Sequence, residues 1–360
     1  MAYDLGNEEL NERLRSLVAD SSDNENKDII EELIVTALKL HRDGARRGDL
    51  KLINTAVKEM RYSNLVFSRH DEPKVTIYGS ARIKQGDPNY ALTEEFAANM
   101  AGHGWGVITG AGPGIMEAGS KGAGIDSSYG VNIRLPFEAT ANDYIADGRT
   151  VNFKYFFTRK LGFVKESHAF VIMPGGFGTL DEAFELITLF QTGKSDLHPI
   201  VLLEAEGTDY WGPLIRFITT KLLAMGLISD SDLHLFLQTT DPDEACQEIF
   251  KFYSNYHSQR FTAGKLILRL RQAPDEEELS ALNEEFADIV VEGEIERTEP
   301  NQAEADDNDA LKMERITFYF DRRQFGRLRQ LIDRLNELAS LPETTEIPAG
   351  ISEEQAERPW

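Results

Sequence analysis

The stretch Ala169-Phe170-Val171-Ile172-Met173-Pro174-Gly175-Gly176-Phe177-Gly178-Thr179-Leu180-Asp181-Glu182 decides the fold. An apolar strand, Ala169 to Met173, delivers the chain into three glycines and then into a helix start. That is the layout of a phosphate cradle. Glycines let backbone N–H groups approach an anion closely, Thr179 can cap the helix and offer a hydroxyl, and the helix N-terminus adds a favourable dipole. Glu182 does not fit that purpose, because a carboxylate one turn into an anion site repels phosphate unless it faces another part of the ligand. It reads as a group aimed at a sugar.

Outward from this stretch the pattern repeats. Val75 to Tyr78, Gly106 to Thr109, Tyr129 to Ile133 and Pro199 to Leu203 are further short β-rich runs. Ala91 to His103, Gly114 to Gly122, Val151 to Glu166, Thr179 to Gln191 and Tyr210 to Met225 read as helices between them. Strand-helix alternation with polar and glycine residues just after the strands implies a Rossmann-like α/β fold, a doubly wound parallel sheet with its site at the carboxyl ends of the strands. The turn Gly110-Ala111-Gly112-Pro113-Gly114 is not the dinucleotide fingerprint, since Glu117 stands where that motif wants a third glycine. The spacing fits a mononucleotide better than a dinucleotide.

The flanks read differently. Residues 1–70 are helical in pattern throughout, with Ile29, Ile30, Leu33, Ile34, Ala37, Leu38 and Leu40 forming an apolar stripe that needs a partner. After about Thr262 come a strand candidate Lys265 to Arg271, an acidic helix Pro274 to Ala287, strands Ile289 to Ile295 and Arg315 to Phe320, and a helix from Arg322 to Leu338. The expected organisation is a helical extension over 1–70, a Rossmann-like catalytic domain over 71–260, a small α+β domain over 261–340 and a disordered tail over 341–360.

A net charge of −23 over 360 residues argues against a general electrostatic grip on nucleic acid or on an anionic membrane. The single cysteine, Cys246, excludes an internal disulfide framework and a multi-cysteine metal cluster, and reads as a small buried apolar residue. His168 and His103 have no His, Cys or acidic neighbour at metal-ligand spacing, so no metal is expected. No run approaches the ~20 apolar residues of a membrane span, and the N-terminus has no basic leader, so a cytoplasmic protein is expected. There is no Gly-x-Ser-x-Gly elbow and no Walker A sequence.

The pattern Pro-Gly-Gly-x-Gly-Thr-x-x-Glu resembles the signature of the LOG family, the cytokinin riboside 5'-monophosphate phosphoribohydrolases, formerly labelled lysine decarboxylase-like. Tyr78-Gly79-Ser80-Ala81-Arg82 looks like the family's first strand-to-loop turn, and Thr109 to Ala118 like its second glycine-rich turn. Thr158-Arg159-Lys160 stands in the place of the family's Arg-Lys pair, and Asp209 to Leu214 with Phe217 resembles its aromatic segment. These motifs, in this order, cover roughly residues 73–255. Ala111 departs from the pattern, a third consecutive glycine being commoner there.

The resemblance implies an N-glycosidase that splits a nucleoside 5'-monophosphate into free base and ribose 5-phosphate, with AMP or N6-modified AMP favoured and no cofactor. Such chemistry needs a phosphate anchor, a carboxylate near the oxocarbenium-like ribose, and help for the departing base. On the residues alone Glu182 reads equally as that carboxylate or as an acid favouring the helix N-terminus; the resemblance assigns it and Arg159 catalytic roles. Gly79, Ser80, Arg82, Gly112, Gly114, Lys160, Gly175, Gly176, Gly178 and Thr179 are the expected substrate-binding residues. The resemblance also implies a homodimer or higher homo-oligomer. The rival expectation is a nucleotide-binding regulatory protein with little turnover.

Overall fold

The computed structural model of this chain describes residues 4–22, 26–133 and 142–338; the tail expected over 341–360 lies outside them. Three helices come first: α1 (Glu8–Ser21), α2 (Lys27–Arg42) and α3 (Arg47–Phe67). Contacts divide the chain into two compact units, Met1–Arg61 and Tyr62–Trp360. Within the first unit, Leu14 and Val18 of α1 bury against Val35 of α2, with Leu5 and Ile34 at the edge of this small core. Asn7 caps α1 by accepting the Leu10 N–H on its side chain, and Asn11 holds the Leu5 N–H.

The second unit opens with β1 (Lys74–Tyr78), α4 (Pro88–Gly102), β2 (Gly106–Thr109), α5 (Ile115–Ala123), β3 (Ser128–Ile133), β4 (Thr150–Phe153), α6 (Phe156–Glu166), β5 (Ala169–Ile172), α7 (Phe177–Gln191), β6 (Ile200–Leu203) and α8 (Trp211–Phe217). A π-helical turn, Ile218–Leu223, extends α8, and a 3₁₀ turn, Asp230–Leu235, precedes β7 (Leu237–Thr239) and α9 (Pro242–Phe252). The strands form one seven-stranded sheet in the order β4-β3-β2-β1-β5-β6-β7. Every pair in it is parallel. Strands β1, β2, β5 and β6 are buried at every position, which is why β5 and β6 read as unbroken apolar runs and β1 and β2 as mainly apolar ones, with Thr76 and Thr109 buried among them. The strand order reverses direction between β1 and β5, so the crevice beyond their carboxyl ends is the switch point at which doubly wound folds bind ligands.

The expected doubly wound sheet is therefore present, with local differences. The segment read as one helix from Val151 to Glu166 is β4 followed by α6, because Val151 and Phe153 are fully buried as a strand pairing with β3. Tertiary pairing there overrides a helical pattern. Strand β7, too short to leave a pattern, was not expected.

After α9 the chain builds β8 (Tyr256–Thr262), β9 (Lys265–Leu270), α10 (Glu276–Glu285), β10 (Val290–Arg297), α11 (Gln302–Asp306), β11 (Glu314–Phe320) and α12 (Phe325–Leu335). Its four strands form an antiparallel sheet in the order β10-β11-β9-β8. β8, a mix of polar and aromatic residues, carried no strand signal of its own. Helix α12 lays Phe325, Leu328, Leu331, Ile332 and Leu335 inward. Gly326 lets α12 come close to the 3₁₀ turn, since a Cβ there would stand 2.3 Å from the Ser231 carbonyl. Asn336 then ties the end of α12 to the start of the second sheet, accepting the N–H groups of Asn255 and Tyr256 and donating to the Phe252 carbonyl.

Candidate functional site

Three turns meet at the switch point: residues 79–82 after β1, 110–114 after β2 and 174–178 after β5. Backbone bonds lock them together. The Ser80 N–H donates to the Pro174 carbonyl (3.1 Å), and the Ser80 carbonyl accepts from the Ile115 N–H (3.1 Å). The first turn is thus stitched to both glycine turns. Gly79 is required by packing, because a Cβ there would stand 2.4 Å from Ile115 Cγ2. Gly114 is required twice over: its φ of +71° lies in the left-handed region, and a Cβ would sit 2.4 Å from the Ser80 carbonyl. Ala111 also has positive φ, 61°, and is fully buried, so its methyl fills the turn rather than opening it.

Helix α7 starts at Phe177 with Gly176 as N-cap and no side chain capping it. Thr179 is therefore not the cap expected from sequence. It lies inside the first turn, buried, with its hydroxyl against Gly175, where a Cβ would be only 2.2 Å away. The first-turn N–H groups of a helix have no intrahelical carbonyl to reach. At Gly176 and Gly178 a Cβ would meet nothing within 4 Å, so the mouth of this turn is open. Tyr210 holds its other side by donating its hydroxyl to the Gly175 carbonyl at 2.6 Å. Trp211, beside it, is fully buried with its indole N–H on the Leu203 carbonyl, and so belongs to the core rather than to a pocket wall.

Arg159 and Lys160 leave α6 in different directions. The Arg159 Nε–H donates to the Val131 carbonyl at 2.9 Å, and one Nη stands 3.6 Å from a Glu182 carboxylate oxygen. Both side chains are largely buried, 11% and 15% exposed. Gly110 makes room for this arginine, since a Cβ there would collide with Arg159 Nη2 and Met116 Sδ, each at 2.5 Å. The Lys160 ammonium instead bridges Asp181 (2.8 Å) and Glu185 (3.2 Å), the two acids flanking Glu182 on α7. Burial alone would lower the Lys160 pKa, but the hydrogen bonds to Asp181 and Glu185 outweigh it and raise it.

Burial pushes the Glu182 carboxyl up to about 7, against the opposing pull of Arg159 and Lys160. Tyr78, at the end of β1, is driven well above the ordinary tyrosine range, first by burial and then by the Glu182 charge. A carboxyl that changes charge near neutrality, beside an always-ionised guanidinium, can act as proton acceptor or as counter-charge.

Of the residues expected from sequence, Gly79, Ser80, Gly112, Gly114, Gly175, Gly176, Gly178 and Thr179 line the three joined turns, and Arg159 faces Glu182 directly. Lys160 is drawn to the acids on either side of it. Arg82 follows at an exposed position, its backbone N–H on the Ser80 hydroxyl. Three contributors went unnoticed. Gly110 and Met116 shape the space around Arg159, and Asn142 steadies the second turn by donating its N–H to the Ala111 carbonyl at 3.0 Å. Gly110 and Met116 stand in a motif already singled out, whereas Asn142 lies 30 residues away in a segment without periodicity.

Residues 110–249 match the family profile described as possible lysine decarboxylase. A rice (Oryza sativa subsp. japonica) protein named probable cytokinin riboside 5'-monophosphate phosphoribohydrolase LOGL2 is 36% identical over 101 residues, which are 28% of this chain and 39% of that protein. An Arabidopsis thaliana protein, cytokinin riboside 5'-monophosphate phosphoribohydrolase LOG1, is 37% identical over 91 residues, 25% of this chain and 41% of that protein. The match thus spans about two-fifths of the length of these relatives. Among solved structures, the X-ray structure of TM1055 aligns at 23% identity over 49% of this chain and 96% of that one, with a TM-score of 0.36. The molybdenum cofactor carrier protein of Chlamydomonas reinhardtii aligns at 19% identity over 49% and 94%, with a TM-score of 0.34. The glycine turns after β2 and β5 and the Arg159–Glu182 pair fall inside the matched residues, so it is this stretch of the chain that is similar to that family and to these relatives.

Proposed function

We propose that this chain hydrolyses the N-glycosidic bond of a nucleoside 5'-monophosphate, releasing free base and ribose 5-phosphate. The observation that carries the reading is the buried Arg159–Glu182 pair beside the open turn at Gly176 to Gly178. The 5'-phosphate rests on the N–H groups that begin α7, where the helix dipole favours an anion. Gly112 and Gly114 line the neighbouring turn, and Ser80 and Arg82 border the ligand from the third. With the phosphate there, the ribose lies one helical turn on, at Glu182.

As the bond from C1' to the base nitrogen breaks, positive charge develops on the sugar and the Glu182 carboxylate stabilises it. The same carboxylate polarises the water that adds to C1', and Arg159 holds the ligand from the opposite side with a charge that does not titrate. Lys160 positions α7 through Asp181 and Glu185 rather than touching substrate. Its raised pKa keeps it an ammonium, which disfavours the Schiff-base role that a decarboxylase with a pyridoxal cofactor would need.

AMP or an N6-modified AMP is the substrate proposed, and the names of the relatives, which specify a cytokinin riboside 5'-monophosphate, support the second of these. A homo-oligomer is part of the reading, because Phe156, Phe157, Leu161 and Phe177 stand exposed on α6 and α7 around the site, Phe177 at 94%. No described helix is long and apolar enough to cross a membrane, and a cytoplasmic location fits the proposed substrate. The second reading, a nucleotide-binding regulator, draws on the helices and antiparallel sheet added around the central domain.

Incubation of the pure protein with AMP, GMP, CMP, UMP and isopentenyl-AMP, followed by chromatography for free base and ribose 5-phosphate, tests the proposal. Base release from any of them supports the hydrolase and names its substrate. Binding without release on all five favours the regulator.

A further inference from the structure

One buried carboxylate holds the segment that joins β6 to α8. Glu204, 2% exposed, accepts the backbone N–H groups of Tyr210 and Trp211 (3.2 Å for Trp211), the Thr208 hydroxyl (3.0 Å) and the Gln238 side-chain N–H (3.3 Å). A carboxylate offers about four lone-pair sites, and these four donors fill them. The Asn89 side chain fixes the same segment from α4 by accepting the Ala205 N–H at 2.8 Å. Asp209, between two residues that Glu204 holds, is kept at φ 44°, in the left-handed region. The fully buried Trp211 meets the Tyr210 ring edge-on, with centroids 4.7 Å apart.

What this clamp delivers is the Tyr210 hydroxyl, which donates to the Gly175 carbonyl at 2.6 Å. The peptide so held joins Gly175 to Gly176, the N-cap of α7, and is trans. In a trans peptide the C=O and the N–H point opposite ways, so holding the oxygen on Tyr210 turns the Gly176 N–H away from Tyr210. Gly176, Phe177 and Gly178 are exposed there. With glycine on both sides of the bond, no Cβ resists rotation of the shared peptide. Released from Tyr210, it can turn over and present a carbonyl oxygen where the N–H stood. That oxygen repels a phosphate.

We propose that Tyr210 is a positioning residue for the phosphate of the ligand, setting the direction of the Gly176 N–H, and that Glu204 acts through it. The inference rests on the phosphate anchor of the function proposed above and not on its bond cleavage. Without the Tyr210 hydroxyl only a fraction of molecules holds the competent orientation, and a phosphate ligand selects that fraction. The apparent Kd then rises by the inverse of the fraction, while the bound complex is unchanged.

The test is calorimetric titration of the full chain with ribose 5-phosphate and with AMP, beside initial rates of AMP hydrolysis. Tyr210→Phe, which removes one hydroxyl and keeps the ring, is expected to weaken both ligands by the same factor, about tenfold, as the loss of one hydrogen bond allows. KM for AMP should rise alike, with kcat within about twofold. Glu204→Gln should weaken both ligands in the same way, and adding it to Tyr210→Phe should cost less than about twofold more, because the two act in series. Unchanged affinity for ribose 5-phosphate in Tyr210→Phe would overturn the proposal, whether or not the melting temperature falls. A loss for AMP alone would also overturn it, by placing Tyr210 at the base, and fully additive losses in the double variant would remove Glu204 from it. Weakened binding of both ligands in a protein that never releases base would sustain this proposal and sink the hydrolase; base release with ribose 5-phosphate affinity unmoved would do the reverse.

Discussion

Arg159 and Glu182 face each other at 3.6 Å, the arginine fixed at its other end by the Val131 carbonyl and the glutamate buried one turn into α7. That distance is longer than the roughly 2.7–2.9 Å of a charge-assisted hydrogen bond, so the pair attracts without closing on itself. Replacing the charge while keeping the shape isolates what it does. Glu182→Gln is expected to lower turnover at least about a hundredfold while the nucleotide dissociation constant changes less than about threefold, the mark of an interaction made in the transition state. Equal losses in binding and turnover would remove Glu182 from the proposed role.

The carboxyl's raised pKa gives the activity a pH signature. With Glu182 needed ionised, kcat/KM should rise through an apparent pKa of about 7. Arg159 opposes the burial that raises this value, so Arg159→Met should move the limb to higher pH as well as lower its plateau. Stability changes in the opposite sense. Between about 4.5 and about 7 the folded carboxyl holds a proton that the unfolded one has released, so this group's contribution to stability falls as pH rises through that window. Glu182→Gln abolishes the term, and its melting temperature relative to wild type should be higher at pH 8 than at pH 4. A constant offset across that range would contradict the burial-driven shift.

The glycine turns divide into those the fold needs and those the ligand needs. Gly114→Ala puts a methyl into the Ser80 carbonyl at a positive φ, and should destabilise the protein by about 2 kcal/mol or more. Gly176→Ala adds a methyl to open space at φ −92°, which any residue adopts. It should leave the melting temperature within about 2 °C while weakening nucleotide binding about tenfold, by crowding the N–H groups of the cradle. Unchanged binding in Gly176→Ala would place the phosphate elsewhere.

The parallel sheet was legible because its strands are covered on both faces, which writes them into the sequence as short apolar runs ended by glycine. Gly79, Gly114 and Gly175 were legible for a related reason: each permits a close approach that a side chain would block. What was not legible depends on partners distant in sequence. Val151 and Phe153 form a strand only because β3 lies beside them, and Asn142 matters only through the Ala111 carbonyl. Likewise the pairing of Lys160 with Asp181 and Glu185 follows from how α6 lies against α7, a relation that spacing within either helix cannot carry. Thr179 misled because a threonine near a glycine turn is chemically a good cap, yet the chain here enters the helix two residues earlier.

A last expectation concerns the antiparallel sheet. Arg269 and Arg315, on neighbouring strands, are almost wholly buried, and both reach the carboxylate of Glu304, itself fully buried, at 2.8 and 3.3 Å. Asp309 takes a second contact from Arg269 (2.5 Å), and the Ala310 carbonyl one from Arg315 (2.7 Å). Taking these charges out of water is costly, and Glu304 is the one carboxylate that reaches both guanidinium groups, Asp309 reaching only Arg269 of the two. Glu304→Gln leaves Arg315 buried with an amide and backbone carbonyls but no carboxylate, and Arg269 with Asp309 alone, and should cost about 3 kcal/mol, read by urea denaturation. The loss falls on the second sheet, remote in sequence from Arg159 and Glu182, so kcat per folded molecule should stay within about twofold. A large fall in kcat with the fold intact would instead tie this charge cluster to the nucleotide site.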